Sequence, residues 1–234
     1  MLKFLQSSAI LGILTAMFFT VQVFAQLDGN PENLCRNGFF PRESKEYKLA
    51  RITGKKAEKI YFYGDERDDC PGGQNCRQKS YLIPGDEIIV SRSFGDFACS
   101  WFQPRKGSET VGWIKLENLE WIQTNQNPAE KDWLGEWLFY DNSIEISKAK
   151  KPDLLAITGN ATWKGLGDNI HVGELDESAK PSGNKLKLGE NETGEYACKV
   201  SMLLLGKYLI VSDNLNCGGV NVSFSGVYQK KPRK

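Results

Sequence analysis

The chain has 234 residues, with 30 lysines and arginines against 29 aspartates and glutamates, and a formal net charge of +1. This balance lacks the basic footprint that nucleic-acid binding requires. It also disfavours a simple electrostatic grip on a strongly basic partner. No stretch after residue 25 is apolar enough to predict a membrane span, so a membrane-spanning protein is not expected either.

The first 25 residues have the pattern of a secretory signal peptide. Lys3 supplies a positive charge, residues 9–24 form an apolar run without a charged side chain, and Ala25 precedes polar Gln26. The run is shorter than the roughly 20 residues of a membrane-spanning helix, so we expect cleavage after Ala25. Because position 26 is not the cysteine that lipid attachment requires, we expect a soluble periplasmic or secreted product. Loss of Lys3 with the signal would leave the mature chain formally neutral.

All six cysteines lie after the signal: Cys35, Cys70, Cys76, Cys99, Cys198 and Cys217. An even number of cysteines in an exported chain predicts three disulfides. Cys198 and Cys217 lie far beyond the other four and are expected to pair. Among the remaining four, spacing leaves the pairing open, and we favour Cys76 with Cys99 and Cys35 with Cys70. The cysteines lack the paired short spacing of a zinc site.

The mature sequence has the pattern of short apolar runs and frequent turn residues that is typical of an all-β chain. Glycines and prolines interrupt short runs of alternating apolar residues, and no helical period is sustained. Strands are predicted at residues 59–63, 87–91, 98–102, 110–115, 136–140, 154–163, 169–175, 194–204, 207–212 and 220–228.

A polar segment at residues 124–131 contains a proline, has no apolar anchor and is predicted to be a linker. It divides the chain into a first module, residues 47–123, and a second, residues 132–229. Residues 26–46 form an N-terminal segment before the first module. The basic tail, residues 230–234, is expected to be solvated.

The first module contains two motifs in sequence, Pro-Gly-Asp at residues 84–86 and Gly-Trp-Ile at residues 112–114. Their spacing resembles that of bacterial SH3-like domains over about 75 residues. The resemblance implies a small barrel whose aromatic groove recognises peptidoglycan or another extended chain. Tyr81, Trp101 and Trp113 are the predicted groove residues. The alternative is that these rings fill the core of the small barrel.

The second module opens with Trp133 and Trp137 around a glycine and closes with an apolar strand, so its first and last strands can pair and shut a larger antiparallel barrel. The strand, tight loop and strand of residues 208–224 are similar to the C-terminal β domains of bacterial periplasmic proteins of the lysozyme-inhibitor type. The resemblance implies a loop, stiffened by Cys198–Cys217, that enters the cleft of a cell-wall hydrolase. The predicted partner-binding residues of this loop are Asp213, Asn214, Asn216, Gly218 and Gly219. The alternative is that the same residues serve only the turn.

No arrangement for catalysis is visible in the sequence. His171 is the only imidazole, and the chain contains no Gly-x-Ser-x-Gly, phosphate-binding glycine loop or His-Glu-x-x-His motif. Oxidised cysteines would leave no thiolate nucleophile. The acidic loop at residues 64–69 lacks the ligand spacing of an EF-hand. We therefore expect a non-enzymatic protein without a metal or cofactor.

The sequence thus predicts an exported, disulfide-stapled binding protein of two β modules. Inhibition of a cell-wall hydrolase, or immunity against one, is the function expected first. Binding of the cell wall through the SH3-like module comes second, and carriage of a small apolar ligand in the larger barrel third.

Overall fold

A computed structural model of the protein describes residues 31–232. The predicted signal peptide at residues 1–25, its cleavage point and the last two residues of the basic tail lie outside the described residues. Within residues 31–232, no helix is long and apolar enough to cross a membrane.

The prediction of an all-β fold is confirmed: residues 31–232 form two antiparallel sheets and only short helical turns. The helices are α1 (Phe40–Glu43) and α2 (Glu130–Trp133), with 3-10 turns at Pro31–Asn33 and Leu116–Asn118. The first sheet contains β1 (Lys48–Ile52), β2 (Ile60–Tyr63), β3 (Arg77–Leu82), β4 (Glu87–Phe94), β5 (Phe97–Phe102), β6 (Thr110–Lys115) and β7 (Leu119–Ile122). The second contains β8 (Gly135–Phe139), β9 (Asn142–Lys148), β10 (Leu155–Lys164), β11 (Ile170–Ala179), β12 (Lys185–Leu188), β13 (Val200–Leu205), β14 (Tyr208–Asp213) and β15 (Gly226–Lys230).

The first sheet has the strand order β3-β2-β6-β5-β4-β1-β7. Pro84-Gly85-Asp86 makes the turn into β4, where the Gly85 amide donates to the carbonyl of Ile52. The inner face of the sheet buries Ile52, Phe62 and Ile114. Alternating apolar residues on these short strands supply that core.

The second sheet has the order β11-β10-β9-β8-β15-β14-β13-β12 and curls into a nearly closed barrel. Its first and last strands pair, as the sequence predicts, with Trp137 opposite Lys230. The edge strands β11 and β12 are consecutive in the chain, and the carboxylate of Glu177 accepts a hydrogen bond from the Gly189 amide across the remaining gap. Curling in this way leaves little exposed strand edge.

The two modules share a buried apolar contact. The outer face of β13–β15 presents Leu205, Tyr208 and Val227, which pack against Leu49 and Trp101 of the first module. The rings of Trp101 and Tyr208 meet edge to face at 5.5 Å. Because side chains of a strand alternate between faces, the continuous apolar run at residues 202–205 requires burial on both faces, and the first module supplies the outer cover.

The disulfides correct part of the sequence prediction. Cys198–Cys217 is confirmed, whereas Cys76–Cys99 and Cys35–Cys70 are wrong, because the structure joins Cys35 to Cys99 and Cys70 to Cys76. The N-terminal segment folds back over β5 and β6, where the carbonyl of Asn33 accepts a hydrogen bond from Trp113 Nε1 at 2.8 Å. This path brings Cys35 to Cys99. Cys70 and Cys76 close a short loop between β2 and β3.

Candidate protein-binding surface

Asp213 ends β14 at the entrance to the predicted binding loop, and its side chain is buried. Its carboxylate accepts hydrogen bonds from the Phe224 amide at 2.7 Å, the Ser223 hydroxyl at 2.9 Å and the Ser225 hydroxyl at 2.8 Å. The side chain therefore ties β14 to the segment that enters β15. It does not project towards a partner, which corrects its predicted role.

The amides of Asn214 and Asn216 also serve the loop itself. The Asn214 side chain accepts from the Lys199 amide at 3.0 Å and donates to the carbonyl of Ala197 at 2.7 Å. The Asn216 side chain donates to the carbonyl of Glu195 at 3.2 Å. Together with Cys198–Cys217, these bonds fasten residues 213–217 to residues 195–199. Short polar side chains commonly satisfy turn backbone in this way.

Glycines let the loop lie against the start of β11. A Cβ on Gly173 would stand 2.2 Å from the carbonyl oxygen of Cys217, and one on Gly218 would stand 2.8 Å from the Cα of Gly173. The Gly219 amide donates to the carbonyl of Val172 at 3.2 Å. Gly173 and Gly218 are thus needed for close backbone approach, which any side chain at Gly218 would prevent, whereas Gly219 contributes its amide.

His171 is part of the same contact. Its Nδ1 lies at hydrogen-bonding distance from the carbonyl of Val220, and since a carbonyl only accepts, Nδ1 is the nitrogen that carries hydrogen. The imidazole also packs beside the Trp163 ring, with 5.2 Å between centroids. The histidine therefore fastens the loop to β11.

The side chains that project from this end of the barrel include several apolar ones. We define the loop end as residues 164–176, 189–199 and 213–222. Its exposed apolar side chains are those of Leu166, Ile170, Val172, Tyr196, Leu215 and Val220. Leu166 is 98% exposed and Val220 71%. Leu215 has a φ of 65°, a conformation uncommon for leucine, and is held there between the braced residues Asn214 and Asn216.

The loop end is also acidic. Its exposed Glu190 is paired with Lys187, whereas five other exposed carboxylates have no ion-pair partner among residues 31–232: those of Asp168, Glu174, Asp176, Glu192 and Glu195. Of the nearby cations, Lys164 is paired with Asp141 at 2.7 Å, and Lys199 lies at the foot of the loop. Alternation along β11 places Ile170, Val172, Glu174 and Asp176 on one outer face.

Sequence reasoning missed these exposed apolar residues. A signal for two of them is present, because Leu166 stands between Gly165 and Gly167, and Val220 stands between Gly219 and Asn221. Apolar side chains inside a turn have no core to enter. Their exposure follows from the turn.

In the first module, the structure separates the three predicted groove aromatics. Trp101 is 2% exposed and Trp113 is fully buried, so both belong to the core and not to a groove. Trp101 Nε1 donates to Glu109, and burial raises the pKa of the Glu109 carboxyl. Tyr81 alone is accessible, at 45% exposure, with its ring edge-on to Tyr61.

The interior of the second barrel is filled by side chains, including those of Trp133, Trp137, Phe224 and Tyr228. A packed interior argues against carriage of a small ligand there. Among residues 31–232, Asp69, Cys70 and Cys76 come together as potential metal ligands, but both sulfurs are in a disulfide and do not coordinate.

Comparisons of the chain with protein-family models, with curated proteins and with solved structures gave no significant match.

Proposed function

We propose that this chain is an exported, non-enzymatic binding protein that docks the loop end of its second barrel on a basic cell-wall hydrolase of the lysozyme type, and so inhibits it or gives immunity against it. The observation that carries the proposal is the mixture at the loop end of exposed apolar side chains with five carboxylates that lack ion-pair partners. Exposed apolar patches of this kind are typical of protein-binding surfaces.

The two kinds of side chain have different effects on binding. Carboxylates speed the encounter with a basic partner and favour it over acidic ones. Apolar side chains such as Leu166 and Val220 supply most of the affinity once they are desolvated. The sequence alone also predicts that this loop binds the hydrolase, but through Asp213 and the asparagines. In the present proposal, the exposed apolar and acidic side chains of the loop end make the contacts.

Rigidity of the loop end supports the same proposal. The disulfide, the two bracing asparagines and the close packing on Gly173 hold residues 213–222 in one conformation. Binding then costs little conformational entropy. A rigid loop of this kind suits an inhibitor, which must fill a hydrolase cleft without changing its own conformation.

The test is inhibition of a strongly basic lysozyme, and of a panel of amidases, in a cell-wall lysis assay with the mature chain, residues 26–234. We expect inhibition near equimolar protein, weakened as salt screens the carboxylates. The double variant Val220→Ser with Glu174→Lys should weaken inhibition at least about tenfold, since it removes an apolar contact and reverses a charge.

The matched control is Ile83→Ser with Asp68→Lys, an exposed apolar residue and an exposed acid of the first module. It should inhibit like the unaltered chain. Equal loss in both variants, or no loss in either, would remove the loop end as the site. Sedimentation with peptidoglycan sacculi that depends on Tyr81, without inhibition of any hydrolase, would instead favour wall binding by the first module.

A further inference from the structure

A second surface, which borders the loop end at Lys187 and Ser212, lies where the N-terminal segment crosses the outer face of the second barrel. A groove of about 500 Å³ is enclosed between residues 41–47 on one side and strands β12–β14 on the other. Pockets of this size are typical of small-molecule sites.

The register of three strands arranges the floor of this groove in two rows. Lys185 stands opposite Leu203, which stands opposite Ile210. One step along, Lys187, Ser201 and Ser212 are aligned in the same way. Side chains on one face of a strand recur every second residue, so all six lie on the same face. Each row begins with a lysine; apolar side chains follow Lys185, and hydroxyls follow Lys187.

The groove has one sign of charge. Its cations are Arg42, Lys45, Lys185 and Lys187, and within the described chain no aspartate or glutamate lines it. Arg42 donates to the hydroxyls of Ser223 and Ser225, and Lys187 is paired with Glu190 at 2.9 Å.

Lys45 and Lys185 have no ion-pair partner among residues 31–232. Like charges gathered in a concave site focus a positive potential and favour an anion. The hydroxyls of Ser201 and Ser212 accept or donate hydrogen bonds, whereas Leu203 and Ile210 are buried against the first module and leave little surface in the groove.

We propose that this groove binds a phosphorylated sugar. The ammonium groups of Lys45 and Lys185 take the phosphate, whose charge they neutralise. Ser201 and Ser212 hydrogen-bond the sugar hydroxyls. A free sugar phosphate and the phosphorylated sugar headgroup of a glycolipid share this chemistry.

The probe is glucose 6-phosphate, titrated calorimetrically into the mature chain at low ionic strength, with glucose and inorganic phosphate titrated separately. We expect saturable binding of glucose 6-phosphate at one site, at least about tenfold weaker binding of inorganic phosphate, and none of glucose. Absence of saturable binding of glucose 6-phosphate overturns the proposal. Equal affinity for inorganic phosphate overturns its sugar part.

Variants locate the site. Lys45→Gln with Lys185→Gln should lower the affinity at least about tenfold, because two charge-assisted contacts are lost. The control, Lys150→Gln with Lys151→Gln, removes the same charge from an exposed turn between β9 and β10 and should bind normally. An equal loss in the control would show that only overall charge matters and would overturn the groove as the site.

Two further measurements separate the parts of the ligand and its sources. Ser201→Ala with Ser212→Ala should lower the affinity for glucose 6-phosphate but leave the affinity for inorganic phosphate unchanged. An equal loss of affinity for both ligands would contradict the assigned hydroxyl contacts. Co-sedimentation with lipid A vesicles that is lost in the Lys45 and Lys185 double variant would assign the ligand to a glycolipid. Binding of glucose 6-phosphate without such sedimentation would assign it to a soluble sugar phosphate.

Discussion

Replacing Asp213 with alanine separates a structural role from a binding role at the loop end. The carboxylate accepts three hydrogen bonds, and a hydrogen bond to a charged group stabilises a fold by roughly 1.5–3 kcal/mol. The hydroxyls of Ser223 and Ser225 are half-buried and can turn to water, so their loss costs less. The Phe224 amide is buried and is left without an acceptor. We expect Asp213→Ala to lower the free energy of unfolding by about 3 kcal/mol.

Equilibrium unfolding in urea, followed by far-ultraviolet circular dichroism with the disulfides intact, measures this loss. With a slope of roughly 2–3 kcal/mol per molar urea, the midpoint should fall by about 1 M or more. Asp168→Ala, which removes an exposed carboxylate of the same loop end, should stay within about 0.5 kcal/mol of the unaltered chain. If Asp213→Ala unfolds like Asp168→Ala and yet abolishes hydrolase inhibition, Asp213 is a contact residue and the structural role argued here is refuted.

Two further predictions concern the first module. Trp113→Ala should lower the free energy of unfolding by about 3–5 kcal/mol, since it leaves a cavity and an unpaired Asn33 carbonyl. Tyr81→Ala, on the surface, should lower it far less. Similar urea midpoints for the two variants would contradict burial of Trp113. Burial raises the pKa of Glu109 above its ordinary 4.5, so the folded state binds the proton more tightly and loses stability as the pH rises through that range. Glu109→Gln keeps an acceptor for Trp101 and should be more stable than the unaltered chain at pH 7 but not at pH 4; a pH-independent difference between urea midpoints would contradict this.

Several strands with apolar alternation were predicted from the sequence, including the edge strand β11, but the interior strands β1 and β9 were missed. The prediction of residues 110–115 coincides with β6, and the prediction of residues 154–163 is displaced from β10 by one residue. By contrast, β3 and β12 are rich in charged or polar residues and were not predicted. An edge or outer-face strand exposes its side chains, so it carries little apolar signal.

The sequence drew attention to the loop after β14, but not to the side chains that are exposed there. Cysteine and glycine located the loop, because a disulfide and close backbone approach need those residue types. Asp213 and Asn214 looked like contacts because they are polar, but polar side chains beside a turn also satisfy its backbone, and here they do so. Only the fold shows that Leu215 and Val220 are left outside.

The distribution of charge over the surface matters more for the choice of partner than the net charge does. A neutral chain disfavours electrostatic attraction to a basic partner only if its charges are evenly mixed, since exposed charges act within a screening length of about 10 Å at 0.1 M salt. Here they are not evenly mixed: five carboxylates without ion-pair partners among residues 31–232 lie at the loop end, and four cations line the adjoining groove beside residues 41–47. A basic protein that approaches the loop end is attracted by those carboxylates and is little affected by the net charge of the whole chain. Formal neutrality of the chain is therefore compatible with a basic hydrolase as the partner.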